Sequence, residues 1–439
     1  MRQGARIQAA IDVLTDLETR PRPAADALKN WGLSHRFAGS KDRAAIGHVI
    51  FGALRTKASS AWTMGAEKPR AIVLGYLART LGHDAAMIEA AFADDAHAPE
   101  PLSEAERLAL ANGTLDGAPN WVRGDYPEWL EEAFARAFGD ERAEEGASLA
   151  VPAPLDFRVN ALKATRDKVL ASLAADPKLA DAAGNAKIAP TAWSPDGLRV
   201  PYEQGRDFGA SRNALWLKGW FEIQDEGSQI AALFAGVEPG MQVADVCAGG
   251  GGKTLALAAA MQNKGQIHAY DVDAPRLAAI RERLDRAGVR NAQLIYPLAG
   301  TDPLAALAGR MDVALVDAPC TGSGTWRRNP DAKWRVRPGA LVERQKEQAE
   351  ALAMGANLVK KGGRLVYVTC SILDAENDDT VSGFLAANAE FKPMGWKHLT
   401  RNGPLEALKD HAWLKQHGIQ LTPRKTGTDG FYVCVLERT

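Results

Sequence analysis

The sequence predicts a multidomain protein with an α-helical N-terminal bundle, a small α+β module and a C-terminal α/β domain built on a parallel, doubly wound sheet. Its 439 residues suffice for roughly two to four domains. Apolar residues recur at helical spacing as far as Leu110, whereas short apolar runs alternate with helical segments from Phe221 onward. Hydrophobic residues make up 46% and charged residues 24%, which is typical of a folded globular chain.

The helical bundle comes first and is assigned to residues 1–118. Its pattern is Ala-rich and is interrupted by helix-breaking residues at Pro21, Pro23, Gly32 and Gly39. Residues 1–83 carry 13 basic and 6 acidic side chains. This excess favours the binding of an anion such as RNA, although solvated helix faces explain it equally well.

A linker helix and the α+β module follow, over residues 119–215. Residues 84–150 carry 16 acidic and 4 basic side chains, and Pro99, Pro101 and Pro119 interrupt them, which predicts a boundary and spacer with a helix over 127–138. Beyond it, the pattern predicts strands over 155–159 and 197–200 and a helix over 163–173.

The α/β domain is assigned to residues 216–439. Its apolar runs predict strands at 242–246, 266–270, 292–295, 313–316, 364–368 and 431–436. The intervening segments predict helices at 254–261, 274–287, 338–359 and 376–388. Because the two kinds of segment alternate, the strands are expected to lie parallel.

A loop of small residues joins the first of these strands to its helix and ends in Gly252-Lys253-Thr254. A phosphate-binding P-loop requires Gly five residues before Gly252, and that position is Cys247, so a P-loop NTPase is excluded. Asp271 follows the next strand, where a carboxylate commonly accepts hydrogen bonds from ribose hydroxyls. An N-cap role is the alternative, for which Asp273 competes. Loop and acid together favour an adenosine-containing cofactor.

Two cysteines follow two of the predicted strands. Cys320 ends the segment Asp317-Ala318-Pro319-Cys320, and Cys370 lies in Thr369-Cys370-Ser371. Parallel strands bring their carboxyl ends to one edge of a sheet, where open α/β folds bind ligands, so both thiols are expected there. Cys247 and Cys434 are interpreted as ordinary buried cysteines.

These motifs, in this order, resemble the RNA cytosine-5 methyltransferases of the RsmB-like (Sun-type) group. The resemblance extends from Phe221 to the C-terminus. Two further motifs within this range carry it as well, Gln224-Asp225-Glu226 and Asp429-Gly430-Phe431-Tyr432. The segment around Gly39-Ser40-Lys41-Asp42-Arg43 resembles the NusB-like RNA-binding domain of this group. The middle module resembles its RRM-like domain.

The resemblance implies S-adenosylmethionine as cofactor and RNA, most simply small-subunit ribosomal RNA, as substrate. It assigns cofactor binding to Cys247, Ala248, Gly249, Gly250, Gly251, Gly252, Lys253, Asp271 and Asp317. It makes Cys370 the nucleophile that adds to C6 of cytosine, Cys320 the thiol that assists product release, and Asp317 the group that hydrogen-bonds N3. DNA cytosine methyltransferases use the cysteine of a Pro-Cys pair as nucleophile, so Pro319-Cys320 alone would point to Cys320. The presence of Thr369-Cys370-Ser371, as in the RNA enzymes, identifies Cys370 as the nucleophile instead.

The chain departs from the family pattern at two places. Gly250 stands where the family usually has Pro, and Tyr296-Pro297-Leu298-Ala299-Gly300 lacks the usual acid near the adenine, with Asp302 as a possible substitute. After Cys320, residues 327–346 carry seven basic side chains, with Trp326 and Trp334 nearby. This pattern predicts backbone contact and base stacking with RNA, with an ordinary exposed loop and helix start as the alternative.

Other features of the sequence predict where the protein is found and what it lacks. No run of about 18 apolar residues occurs, and the first 18 residues carry three acids, so neither a membrane span nor a signal peptide is expected and the location should be cytoplasmic. The four cysteines form no CxxC pair, so neither a metal site nor a disulfide framework is expected. A monomer is expected. The competing function is a non-catalytic RNA-binding ribosome assembly factor that retains the methyltransferase fold.

Overall fold

The computed structural model describes residues 1–206, 208–395 and 405–439, and forms two compact units. The first contains Met1–Val151 and Trp326–Val336, and the second contains Pro152–Thr325 and Arg337–Thr439. None of the described helices is both long and apolar enough to cross a membrane.

The first unit is helical, as predicted. Its helices in the N-terminal segment are α1 (Gln3–Thr19), α2 (Ala24–Ser34), α3 (Ser40–Arg55), α4 (Lys57–Met64), α5 (Pro69–Arg79), α6 (Ala85–Phe92), α7 (Glu104–Asn112), α8 (Asn120–Arg123), α9 (Glu131–Phe138) and α10 (Arg142–Ser148). Ile46, Ile50 and Leu74 are fully buried in its core.

The acidic stretch 84–150 is not a spacer. It supplies α6 to α10, and its side chains Tyr126, Leu130 and Phe134 are fully buried. Residues 119–151 pack with the helical unit. The net charge of this stretch suggested a spacer because its exposed acids outnumber the few buried aromatic residues that anchor it.

The second unit begins with the α+β module. Its elements are β1 (Leu155–Val159), α11 (Arg166–Ala174), β2 (Ala189–Pro190), β3 (Gly197–Val200), α12 (Tyr202–Gly205), α13 (Ala214–Leu217) and β4 (Phe221–Ile223). They form an antiparallel sheet in the order β2-β3-β1-β4. Phe157 and Val159 of β1 enter the module's own core, whereas the alternate residues Asp156 and Arg158 lie on the opposite face and are also buried.

A larger sheet follows, formed by β5 (Gln242–Asp245), β6 (Gln266–Tyr270), β7 (Ala292–Ile295), β8 (Met311–Asp317), β9 (Val359–Thr369), β10 (Phe391–Pro393), β11 (Trp413–Leu414), β12 (Ile419–Leu421) and β13 (Phe431–Arg438). The order is β11-β12-β13-β9-β8-β5-β6-β7, with β10 paired to β13. Strands β5 to β9 are parallel, as predicted. Strand β13 is antiparallel to β9, because an apolar run does not encode the direction of its strand.

The helices of this domain are α14 (Glu226–Phe234), α15 (Gly252–Ala260), α16 (Ala274–Ala278), α17 (Ile280–Ala287), α19 (Pro338–Leu358), α20 (Asp378–Ala387) and α21 (Pro423–Thr426), and α18 (Pro330–Arg335) belongs to the first unit. The chain runs from β5 to β6 and β7 on one side, then returns to β8 and β9 on the other. The carboxyl ends of β5 and β8 therefore flank the point where strand order reverses, which is where such sheets bind ligands.

The segment Trp326–Val336 packs into the first unit. Trp326 is 1% exposed and stacks on Phe134, with ring centroids 6.3 Å apart. Lys333 Nζ donates to the Arg55 carbonyl at 3.0 Å and Trp334 Nε1 to the Leu54 carbonyl at 2.6 Å, which caps the C-terminus of α3. Base stacking on Trp326 is therefore the wrong interpretation, because its ring is buried, whereas Trp334 is half-buried and held by its bond to α3.

Candidate active site

The glycine loop connects β5 to α15. Gly249 and Gly251 have φ values of +53° and +77°, a left-handed conformation that favours glycine. A Cβ on Gly251 would also approach Ile280 Cγ2 to 2.7 Å. Gly250, which replaces the family's Pro, is not left-handed, and its carbonyl accepts a hydrogen bond from Arg283. The loop thus turns the backbone toward the sheet edge ahead of the N-terminus of α15.

Asp271 holds this loop from the end of β6. Its Oδ2 accepts from Gly249 N at 2.7 Å and its Oδ1 from Asp273 N at 2.8 Å, and the residue is 6% exposed. Asp273 caps α16 by accepting from Arg276 N at 2.9 Å. The two acids therefore divide the roles that the sequence left open: Asp273 is the helix cap, and Asp271 belongs to the loop.

Asp245, at the end of β5, was not singled out from the sequence. It is fully buried, and its Oδ2 accepts from Thr254 Oγ1 at 2.6 Å. Its Oδ1 has no hydrogen-bond partner within the described ranges. Burial raises the pKa of this carboxyl to about 7, and the charges of Asp317 and Asp271 act in the same direction. Its only signal in the sequence is its position just before the glycine loop.

Lys253 and Asp317 form an ion pair beside the loop. The distance from Lys253 Nζ to Asp317 Oδ2 is 2.6 Å, and the lysine side chain is 7% exposed against 32% for the aspartate. The ammonium group also lies 5.2 Å from the centroid of the Phe431 ring. With Asp245 and Asp271, three carboxylates and one ammonium group surround the loop, so the site is suited to a cationic ligand.

The two predicted active-site cysteines meet at the carboxyl ends of β8 and β9. Cys320 Sγ lies 3.3 Å from Cys370 Sγ. This hydrogen bond, together with burial, raises the pKa of the Cys320 thiol, so Cys320 keeps its proton and can donate it to Cys370. Burial also raises the pKa of the thiols of Cys247 and Cys434, which disfavours their reactive thiolate forms.

Glu376 joins the two cysteine loops, although the sequence pattern predicted only that it begins a helix. Its carboxylate accepts from Thr321 N at 2.8 Å and from Thr321 Oγ1 at 2.6 Å on the Cys320 loop. It also accepts from Ser371 Oγ, next to Cys370, and from Gln348 Nε2 at 3.0 Å. Gln348 in turn donates to the Pro319 carbonyl at 2.9 Å. This buried network fixes the spacing of the two thiols.

The α+β module supports the glycine loop through Arg158. Its Nη1 donates to the Gly252 carbonyl at 2.7 Å and to Gln224 Oε1 at 2.6 Å. Burial lowers the pKa of this guanidinium to about 10. Asp225, next to Gln224, accepts from Asp429 N at 3.0 Å, which joins the two motifs at the ends of the domain. These motif residues therefore fix the scaffold around the site.

Asp302, the possible substitute for the missing acid, is exposed. Asp302 Oδ1 accepts from Leu304 N at 2.9 Å and caps a short turn, and Leu298 is 65% exposed.

Within residues 1–206, 208–395 and 405–439, no group of three or more His, Cys, Asp or Glu side chains could hold a metal ion.

Comparison with known proteins identifies the family. Residues 233–437 match the family model of the 16S rRNA methyltransferases RsmB/F, and residues 126–203 match the ferredoxin-like domain of RsmF/B-like methyltransferases. A probable ribosomal RNA small subunit methyltransferase B from Synechocystis is 31% identical over 319 residues, which cover 71% of this chain and 67% of that protein. Ribosomal RNA small subunit methyltransferase B from Erwinia tasmaniensis is 30% identical over 434 residues, which cover 92% of each chain.

Among solved structures, PH0851 superposes with a TM-score of 0.71 at 25% identity and covers 99% of this chain and 98% of its own. The predicted fold class is confirmed: a helical N-terminal region, a ferredoxin-like module and a Rossmann-like sheet. The resemblance inferred from the motifs is confirmed as well. The chain belongs to the RsmB/F family of 16S rRNA methyltransferases.

Proposed function

We propose that this methyltransferase modifies C5 of a cytosine in small-subunit ribosomal RNA through a covalent bond between Cys370 and C6 of the base. The observation that carries the proposal is the pair of thiols 3.3 Å apart, at the ends of neighbouring strands. Asp317, at the end of β8, completes the group. A site that only bound RNA would have no need for two thiols at a ligand-binding edge.

S-adenosylmethionine is the methyl donor of the family, and the residues around the glycine loop fit it. The backbone of Cys247 to Lys253 would hold the methionine part, and Asp271 would accept from the ribose hydroxyls. The buried Oδ1 of Asp245, unpartnered within the described residues, adds negative charge that complements a sulfonium ion. When bound, the cofactor supplies an electrophilic methyl group.

The residues of this chain would make the base nucleophilic. C5 of cytosine is a poor nucleophile, and addition of the Cys370 thiolate to C6 turns C5 into an enamine carbon that can attack the methyl group. Loss of the C5 proton then allows the Cys370–C6 bond to break. Once Cys370 is bonded to carbon, Cys320 loses the hydrogen bond that favours its protonated form, which frees it to assist this release.

Asp317 would stabilise the adduct at N3 together with Lys253. Negative charge develops at N3 when the thiolate adds to C6, so a proton must be held near that atom. Because Asp317 Oδ2 accepts from Lys253 Nζ at 2.6 Å, the pair can share the proton that this hydrogen bond requires. The target base must be unstacked for C6 to be reached, which favours a single-stranded or loop region of the RNA.

The test uses tritiated S-adenosylmethionine and unmodified small-subunit ribosomal RNA, with digestion of the product to nucleosides. We expect label in 5-methylcytidine with the wild-type protein and with Cys434→Ala, which removes a buried thiol of β13. Cys370→Ala should lose the label, and Cys320→Ala should accumulate RNA linked to protein. Label in another nucleoside, or full activity of Cys370→Ala, would contradict the proposal.

A further inference from the structure

The turn between α2 and α3 displays Phe37 to solvent. Its side chain is 73% exposed, the largest exposed fraction of any aromatic residue in the described part of the chain. Leu33, one turn earlier, is 64% exposed. The face of the ring is therefore accessible to a binding partner.

The turn is held rigidly. His35 stacks on Trp31 with ring centroids 4.3 Å apart, and Phe37 contacts the His35 ring edge-on at 5.8 Å. Ala38 N donates to the His35 carbonyl at 2.9 Å, and Arg43 Nη1 donates to the Ala38 carbonyl at 2.7 Å. Because the backbone is fixed, little entropy is lost when a ligand stacks on the ring.

The charges around Phe37 are positive. Arg36 and Lys41 are exposed, and neither has an acidic partner within the described residues. The nearest acid along the chain, Asp42, is bound by Arg6 at 2.7 Å and by the N-terminal amine, and these contacts lower its pKa to about 2. The net field at the turn therefore attracts an anion.

We propose that Phe37 is a stacking platform for an unpaired base of the RNA substrate, with Arg36 and Lys41 bound to the adjacent phosphates. An exposed aromatic ring among unpaired cations is the combination with which proteins bind single-stranded nucleic acid. Duplex RNA offers no free base face, so it is bound less well by such a platform. The inference rests on the proposed function only in taking RNA as the substrate.

The experiment measures fluorescence anisotropy of a labelled single-stranded oligoribonucleotide of mixed sequence, and of its blunt duplex, with the full-length protein. Phe37→Ala should raise the Kd for the single strand roughly 5- to 150-fold, the loss of one stacked base, and leave the duplex Kd unchanged. Phe37→Trp should retain binding. The control Leu108→Ala, at a 63% exposed apolar side chain of α7, should bind as the wild type does.

The salt dependence of the Kd distinguishes the contribution of the Phe37 ring from that of the two cationic side chains. Phe37→Ala should leave the slope of log Kd against log salt unchanged, whereas Arg36→Gln and Lys41→Gln should each reduce it by about 0.7. A wild-type Kd for Phe37→Ala, or equal weakening for the duplex, would overturn the platform and leave a protein partner as the explanation for the exposed ring. The proposed function is judged separately, by 5-methylcytidine formation in the wild type.

Discussion

At the scale of single residues, one buried carboxylate holds the two candidate reactive thiols in place: Glu376 accepts hydrogen bonds from Thr321 on the Cys320 loop and from Ser371 beside Cys370. Cys320, Cys370 and Asp271 follow apolar strands, and a parallel sheet brings such positions to one edge. Glu376 could not be found in this way, because its role depends on hydrogen bonds to two loops 55 and 5 residues away. Asp245 was missed because a buried acid at a strand end has no pattern of its own.

Glu376→Gln should slow methyl transfer without weakening cofactor binding. The amide puts an NH2 group where one carboxylate oxygen accepts hydrogen bonds, so at least one buried donor loses its partner at a cost of about 1–3 kcal/mol. The spacing of the thiols would then be lost, and we expect a roughly tenfold or larger loss of kcat. Single-turnover kinetics and calorimetry with S-adenosylmethionine measure the two quantities. Glu390→Gln, at an exposed acid, is the control. An unchanged rate would show that the network does not position the cysteines.

Asp245 should make cofactor affinity depend on pH. Its pKa of about 7 means that the carboxyl is protonated below pH 7 and ionised above it. A cationic ligand favours the ionised form, so binding releases a proton at low pH. The Kd for S-adenosylmethionine should fall by up to about tenfold per unit as the pH rises toward 7, and level off above it. Asp245→Asn should remove this step. Calorimetry between pH 5.5 and 8 tests it, and a Kd independent of pH in the wild type would exclude the role.

At the scale of elements, strands with a clear apolar run were predicted well and short ones were not. Strands β1, β3, β6 and β7 have the predicted bounds. Strands β2, β4 and β10 to β12 are only two or three residues long, which is too short for a period to be read. The burial of both faces of β1 was equally invisible, because Asp156 and Arg158 are polar and look like solvent-facing residues.

Arg158→Met should show that this strand supports the cofactor loop. The substitution keeps an apolar stem but removes the guanidinium group that donates both hydrogen bonds. The Gly252 carbonyl and Gln224 then lose their partner. We expect the Kd for S-adenosylmethionine to rise roughly tenfold, equivalent to ~1.4 kcal/mol, with RNA affinity unchanged. Arg212→Met, at an exposed arginine of the same module, is the matched control. Equal weakening of RNA and cofactor binding would instead indicate general loss of structure, which circular dichroism would reveal.

At the scale of the whole molecule, composition gave wrong predictions for segments whose packing depends on distant parts of the chain. The acidic stretch before the α+β module looked like a spacer, and Trp334 looked like a contact for RNA. Trp334 instead bonds to a carbonyl 280 residues earlier in the chain, a contact that no local pattern contains. The overall charge of -1 likewise conceals a basic helical region and an acidic one.

The thermal stability of the whole protein distinguishes an enzyme from a binding factor that has kept the fold. A ligand that binds only the native state stabilises it by RT ln(1 + [L]/Kd), which is about 2.7 kcal/mol at a concentration of 100 Kd. S-adenosylmethionine should therefore raise the melting temperature by several degrees, and the shift should grow with its concentration. Asp271→Asn, which weakens the hydrogen bond to Gly249, should reduce the shift, whereas Asp302→Asn should not, because Asp302 caps an outer turn. Differential scanning calorimetry measures both. An unchanged melting temperature in the wild type at millimolar cofactor would favour the assembly factor, since a methyltransferase must bind its donor before it can act on RNA.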